Sequence, residues 1–191
     1  MKKFQISPMA GSVAVTLCLS GSLLAQELRA PDAPPQVETQ GQLIHVMQVI
    51  NEREIAEADL ALNHTEHEDV KAYAQQLLND HESSNRRIEE LERSGVTLES
   101  SELAEQLAMQ SGERMEEMSA RNDAHLDCVF LSNQVAQHQA GIELLSRQLQ
   151  PGVEDENVQE FLDLSLADFE RHMTAAKSLL ESSICGDEVT Q

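Results

Sequence analysis

Residues 66–93 read EHEDVKAYAQQLLNDHESSNRRIEELER, and one set of their side chains recurs in alternating steps of four and three. That spacing places the set on one face of an α-helix, while most of the charged residues fall on the other faces. The inward stripe consists of Val70, Ala74, Leu77, His81, Ser84, Ile88 and Leu91. Gly95 follows the last turn, where glycine commonly ends a helix. This stretch therefore predicts a long amphipathic helix with one histidine on its buried face.

Three other segments carry the same periodicity and predict three more long helices. They cover residues 41–63, residues 123–150 and a stretch from residue 155 to about residue 182. Pro151 and Gly152 separate the last two segments, because neither residue favours a helix interior. Residues 98–120 are more polar and contain Gly112, so they predict a shorter, peripheral helix.

The lengths of the connections predict how these helices are arranged. The first and the last connections are so short that each pair of long helices must form an antiparallel hairpin. Between the hairpins, about 30 residues can run back along the bundle and start the third long helix beside the second and parallel to it. We therefore expect an all-α fold, a ferritin-like four-helix bundle with one long crossover connection that contains a short helix.

The composition agrees with a helical domain and disfavours two classes of partner. The chain has 191 residues, of which 40% are hydrophobic and only 3% aromatic, and its formal net charge is -21. This length allows one domain whose core is built from Leu, Ile, Val, Ala and Met, a set that favours helices. Because the negative charge repels phosphate groups, we expect neither a nucleic acid nor a membrane surface as partner. The sequence identifies no protein partner.

The beginning of the chain is typical of an exported protein. Residues 1–25 contain two lysines and then a short apolar stretch, which predicts a signal peptide. Residues 26–40 are polar and rich in proline, so we expect an extended tether. The bundle is predicted over residues 41–182 and a tail over residues 183–191. No later segment is long and apolar enough for a membrane span, so we expect a periplasmic or secreted protein.

Two cysteines remain after the predicted cleavage, which removes Cys18. Cys128 and Cys185 are either two unpaired small residues or one disulfide in an oxidising compartment. If the last two helices fold about residue 154, the two cysteines lie at nearly the same depth of the hairpin. This placement favours the disulfide.

Each long helix carries one strong potential metal ligand on its inward stripe. These ligands are Glu54, His81, His138 and His172. His138 and His172 are predicted to face each other across the second hairpin, whereas Glu54 and His81 differ in depth by about one helical turn. Three imidazoles and one carboxylate match the ligands of zinc, and imidazole also suits copper and iron. The sequence therefore predicts one transition-metal ion inside the bundle.

Further acids surround this constellation. Asp80 and Asp168 are placed to accept hydrogen bonds from ring N–H groups, and Glu57 is assigned to the same outer layer. A dinuclear iron site would need Glu-x-x-His on two helices, but the residues three positions before the histidines are Leu78, Val135 and Phe169. Because hydrolase and thiol-redox motifs are also absent from the sequence, an enzyme is not favoured, and we predict no catalytic residue.

A metal-free alternative stays open at this point. A buried, charged Glu54 needs a compensating partner, and a protonated histidine would serve as well as a metal ion. The protein would then be a structural or interaction module of the cell envelope with a buried network of histidine and carboxylate groups.

Several short runs resemble one bacterial exported family, called domain of unknown function 4142. The runs are Glu54-Ile55-Ala56-Glu57, Val70-Lys71-Ala72-Tyr73-Ala74, Asp80-His81 with Asn85, His138, and Phe169-Glu170-Arg171-His172 with Ala175-Ala176. The likeness covers roughly residues 41–181. It implies a ferritin-like four-helix bundle that carries an export signal, and it implies no particular activity.

Overall fold

The computed structural model describes residues 37–120 and 125–185, apart from the side chains of His125 and Ser183. The predicted signal peptide, most of the predicted tether and the last six residues of the predicted tail lie outside the described residues.

The described chain is all-α, as predicted, and the parts of it that the structure describes contain no strand. Its helices are α1 (Gln40–His64), α2 (Glu68–Ser94), α3 (Glu102–Ser119), α4 (His125–Leu144) and α5 (Glu156–Leu180). Three of these helices have an N-cap side chain that accepts a hydrogen bond from a backbone N–H group of the first turn. These N-cap residues are Thr39 before α1, Ser101 before α3 and Asp155 before α5. Gly95 ends α2 with a left-handed backbone, φ 116°.

The end of α4 differs from the continuous helix predicted to residue 150. The last turns, Leu145–Leu149, form a π-helix instead, and Pro151 and Gly152 lie in the turn that follows. A π-helical turn is one residue wider than an α-helical turn. Both ends of this segment, Leu145 and Leu149, are buried and contribute two apolar side chains to the core.

The helices form two antiparallel hairpins, α1 with α2 and α4 with α5. Between the hairpins, α2 packs against α5 and α1 packs against α4, while α3 lies along α1. The expectation that the third long helix starts beside the second is therefore wrong, because α4 lies beside α1 and diagonally across from α2. The reason is that α3 packs along α1, so the chain reaches the beginning of α4 on the α1 side of the bundle. Every neighbouring pair of long helices is then antiparallel.

Two apolar clusters fill the two ends of the bundle. One contains Ile44, Met47, Ile88, Leu145 and Leu162, among others, and the second contains Tyr73, Leu77, Phe130, Leu131 and Ala176. Between them lies a layer of buried polar side chains from all four long helices. Because burying a polar or charged group costs free energy unless it is paired, this layer needs internal partners or a ligand.

A disulfide joins Cys128, near the beginning of α4, to Cys185, in a short 3₁₀ turn after α5. The predicted pairing of these cysteines is confirmed. Their Cα atoms lie 5.7 Å apart, within the usual range for a disulfide. In the described ranges, the structure has no helix that is both long and apolar enough to cross a membrane.

Candidate metal centre

Three buried histidines meet in the polar layer between the apolar clusters. His81 on α2, His138 on α4 and His172 on α5 are each at most 2% exposed, and each offers one ring nitrogen within 4.8 Å of the others. The Nε2 atom of His138 lies 3.3 Å from the Nδ1 atom of His172. Two nitrogens bound at about 2.1 Å to one tetrahedral ion are about 3.4 Å apart. The pair is therefore spaced as two ligands of a single ion would be.

An amide fixes which nitrogen of His81 faces the centre. The Nδ1–H group of His81 donates a hydrogen bond of 3.0 Å to the side-chain oxygen of Asn51. The amide group of Asn51 in turn donates to Ser84 Oγ at 2.9 Å and to Asn85 Oδ1 at 2.8 Å, so its oxygen must face the histidine. This tautomer leaves a lone pair on His81 Nε2, a buried atom without a hydrogen-bond partner among the described residues.

The other two rings are fixed in the same way. The Nδ1–H group of His138 donates to the backbone carbonyl of Gln134 at 2.8 Å, which leaves the lone pair on Nε2. The Nε2–H group of His172 donates to Asp80 Oδ2 at 2.9 Å, which leaves the lone pair on Nδ1. The network therefore assigns one inward lone pair to each ring.

This arrangement leaves a place for a cation. The lone pairs of His138 Nε2 and His172 Nδ1 face each other at 3.3 Å and repel unless a proton or a metal ion lies between them. Burial lowers the pKa of His81 to about 3, despite the nearby Glu54 carboxylate. Burial also lowers the pKa of His172, although its hydrogen bond to Asp80 acts in the opposite direction. Two of the rings are therefore held neutral, which is the form that binds metals, and the three buried histidines could hold a metal ion.

Glu54 lies in the same layer but has an ion-pair partner of its own. Its Oε1 atom is 2.8 Å from Nη2 of the buried Arg53. Burial alone would raise the pKa of Glu54, but Arg53, His138 and His81 together lower it to about 2. Its Oε2 atom has no hydrogen-bond partner in the described part of the chain. Among the described acids and histidines, the set of ligand atoms within 4.8 Å of one another contains the three histidines and not Glu54.

Glu57, one turn further along α1, is fully buried beside Glu54. Its Oε2 atom accepts hydrogen bonds from Gln134 Nε2 at 3.2 Å and from Gln137 Nε2 at 2.7 Å. Burial and the charge of Glu54 raise the pKa of Glu57 to about 7, against the hydrogen bond from Gln137. Its other oxygen lies 3.6 Å from Nε of Arg114, which α3 contributes from outside the bundle.

The two aspartates predicted in the outer layer have different neighbours. Asp80 accepts the hydrogen bond of His172 and also pairs with Arg171 at 2.8 Å. These two hydrogen bonds lower the pKa of Asp80, although burial alone would raise it. Asp168 pairs with Arg171 at 2.8 Å and lies 3.9 Å from Arg87, so its partners are arginines and not ring N–H groups.

Sequence reasoning missed several residues that shape the site. These residues are Asn51, Arg53, Arg114, Gln134, Gln137 and the aromatic rings Tyr73 and Phe169. The Tyr73 hydroxyl donates to the backbone carbonyl of His172 at 3.2 Å, and Phe169 packs edge-on against the His138 ring at 5.4 Å. The sequence indicated two of the amides only weakly, because Asn51 directly follows an inward-facing position and Gln134 directly precedes one.

The fold and the site define an all-α bundle with a buried histidine triad. The chain belongs to the family described as domain of unknown function, DUF4142, whose family model matches residues 25–179. This confirms the resemblance drawn from the sequence. The chain has no significant match among curated proteins or among solved structures.

Proposed function

We propose that this protein binds one transition-metal ion through His81, His138 and His172, with Glu54 Oε2, which has no hydrogen-bond partner among the described residues, as a candidate further ligand. The protein would act in metal handling or in stress protection, outside the cytoplasm, in the periplasm or after secretion. The disulfide between Cys128 and Cys185 supports an oxidising compartment, where such bonds persist.

One observation carries the proposal. All three rings donate a hydrogen bond outward, to Asn51, to the Gln134 carbonyl and to Asp80, and all three keep an acceptor nitrogen facing one centre. A metal-free network has no need for three inward acceptors, because acceptors at 3.3 Å repel each other. Outward hydrogen bonds that orient imidazole ligands are the usual surroundings of a bound metal.

A metal-free structural or interaction module is the second candidate, and one observation favours it. The ion pair between Arg53 and Glu54, at 2.8 Å, already compensates the buried carboxylate without a metal. One added proton between His138 and His172 would then complete the network.

Elemental analysis of the protein, purified from its native compartment without an affinity tag, tests the proposal. We expect about one metal ion per chain in the wild type and a loss of that metal in the double variant His138→Ala, His172→Ala. The matched control is His64→Ala, His67→Ala, which removes two exposed histidines from the turn between α1 and α2. Because two alanines leave a cavity, His138→Gln alone provides a second variant of nearly unchanged volume. Full metal content in both site variants would refute the assignment.

Thermal unfolding with and without a chelator separates the two candidates. A ligand that binds only the folded state stabilises it by about 2.7 kcal/mol when its concentration is one hundred times its dissociation constant. We therefore expect the chelator to lower the unfolding temperature of the wild type and to leave that of the double variant unchanged. An identical unfolding temperature of the wild type with and without chelator would favour the metal-free module.

A further inference from the structure

A small cavity lies between two of the triad histidines, His81 and His172, and the side of the bundle formed by α2 and α5. It has a volume of about 10 Å³, which is room for one water molecule or one ion, and its walls include His81, His172, Asp80 and Asp168. The two histidines are buried, whereas the two aspartates are partly exposed. The cavity therefore extends from the triad towards solvent, and carboxylates stand at its outer end.

An arginine pairs with both of these carboxylates. The guanidinium of Arg171 bridges the two carboxylates, with Nη2 at 2.8 Å from Asp80 and Nη1 at 2.8 Å from Asp168. Arg171 is 46% exposed, so little protein has to move for its side chain to swing into solvent. Two carboxylates would then line the cavity, with Arg87 still 3.9 Å from Asp168, and a divalent cation can take the position of the Arg171 guanidinium. We call this position, defined by Asp80, Asp168 and Arg171, the α2–α5 cleft.

At the inner end of the cavity, His81 has one ring nitrogen without a hydrogen-bond partner among the described residues. His81 is 2% exposed and lines the cavity, and its Nε2 atom has no hydrogen-bond partner within the described ranges. An ion that moves inward from the carboxylates therefore reaches the histidine that carries an unpaired ring nitrogen.

The opposite side of the bundle is covered. There α3 packs along α1, and its Arg114 lies over the buried Glu57 carboxylate at 3.6 Å. A cation that approached from that side would meet a positive charge first and would have to displace a helix. At the α2–α5 cleft the positive charge over the carboxylates belongs to Arg171, which is 46% exposed and can move without displacing a helix, and the two carboxylates then attract a cation.

From these observations we infer that the α2–α5 cleft is the port through which the metal ion reaches the triad, and that Asp80 and Asp168 form an outer cation site that Arg171 fills between loading events. This inference rests on the proposed function, because it describes how the same triad is loaded. It assigns Asp168 a role in the rate of binding, since Asp168 contacts Arg171 and Arg87 and has no hydrogen bond to a histidine.

Loading kinetics of the metal-free full-length protein with Co²⁺ test the port. The absorbance of tetrahedral Co²⁺ reports arrival at the triad, and a chelator chase reports release. The variant Asp168→Asn removes the outer carboxylate, and the matched control Asp163→Asn makes the same charge change on an exposed residue of the same helix. We expect Asp168→Asn to slow loading and release on the order of tenfold at low salt, with the dissociation constant unchanged. Asp163→Asn should change neither rate more than about twofold.

A second variant tests the bridging arginine. Arg171→Gln removes the cation that closes the cleft, so loading and release should both become faster, again by about tenfold. The matched control is Arg86→Gln, an exposed arginine of α2 that pairs only weakly with Glu82 at 3.9 Å.

The outcomes separate the port from the proposed function. Equal loading rates in wild type, Asp168→Asn and Arg171→Gln would overturn the port while the proposed function stands. A weaker dissociation constant in Asp168→Asn at an unchanged loading rate would also overturn it, because Asp168 would then act on the bound state. If the wild-type protein takes up no Co²⁺, Zn²⁺ or Cu²⁺ at all, the proposed function itself fails, and the port fails with it.

Discussion

The buried carboxyl group of Glu57 makes the stability of this protein depend on pH in a defined direction. In the folded chain its pKa is raised from 4.5 to about 7 by burial and by the charge of Glu54. Between these two pH values the folded state binds more protons at this group than the unfolded state does. The free energy of unfolding that Glu57 contributes is therefore largest below pH 4.5 and is lost as the pH rises through about 7. Glu57→Gln, which keeps the shape and stays neutral, removes this dependence.

The size of the effect follows from the shift of the pKa. A shift from 4.5 to about 7 corresponds to about 3 kcal/mol over the whole window, at about 1.4 kcal/mol for each pKa unit. Between about pH 5 and pH 7.5 the expected change is about 2 kcal/mol, because the titration is incomplete at both ends. The lowered pKa values of His81 and His172 produce the opposite slope, in which stability falls as the pH drops below 6.5. Because both proteins contain His81 and His172, the contribution of these histidines cancels when the unfolding free energy of the wild type is subtracted from that of Glu57→Gln.

Urea unfolding at a series of pH values, with the disulfide intact and a chelator present, measures this difference. The unfolding free energy of Glu57→Gln minus that of the wild type should rise by about 2 kcal/mol from about pH 5 to pH 7.5. Glu52→Gln, which removes an exposed carboxylate from the same helix, is the control and should give a flat difference. Parallel profiles of Glu57→Gln and the wild type would show that Glu57 is ionised throughout and would refute the reasoning.

Three further predictions concern packing, the disulfide and the orientation of one ligand. In Gly141→Ala the new Cβ would lie 2.7 Å from the Phe169 ring, so the ring must move, and we expect urea unfolding to show a loss of about 1–3 kcal/mol. An unchanged midpoint would mean that the ring moves freely. The double variant Cys128→Ser, Cys185→Ser opens a loop with a sequence separation of 57, and its unfolding free energy should fall by about 4 kcal/mol. A loss below about 1 kcal/mol would contradict the chain-entropy estimate. Asp80→Ala frees the His172 ring and should weaken metal binding about 10- to 100-fold in a competition with a chromophoric chelator, whereas unchanged affinity would exclude this orienting role.

The periodicity of the sequence was sufficient to predict the long helices and the inward faces of three histidines. Stripes with steps of three and four follow from helix geometry alone, and His138 and His172 share one hairpin, so their relative depth follows from the turn. The position of α4 beside α1 could not be predicted in this way. It depends on how α3 packs along α1, and the weakly periodic sequence of α3 does not reveal its partner.

The periodicity of the sequence also could not predict which polar residues contact the site. Asn51 and Gln134 lie next to stripe positions, where amides are common on exposed helix surfaces. Only the packed bundle brings the Asn51 side chain to the His81 ring and the Gln134 side chain to the Glu57 carboxylate. Glu54 was predicted on the inward face, but the neighbouring Arg53 was not expected to be buried with it. An arginine normally extends into solvent, and it is buried here because two carboxylates, Glu54 and Glu57, lie within 4.0 Å of its guanidinium group.

The disulfide between Cys128 and Cys185 turns the α4–α5 hairpin into a covalent ring. Two of the three inward nitrogens, those of His138 and His172, belong to this ring, whereas His81 belongs to the other hairpin. If the two hairpins separate, the ring still limits how far apart these two nitrogens can move, and they remain a tethered chelating pair. Partial opening of the bundle would then release one ligand, His81, and keep the other two together. Reduction of the disulfide would remove this tether and so weaken metal binding, although neither cysteine is a ligand.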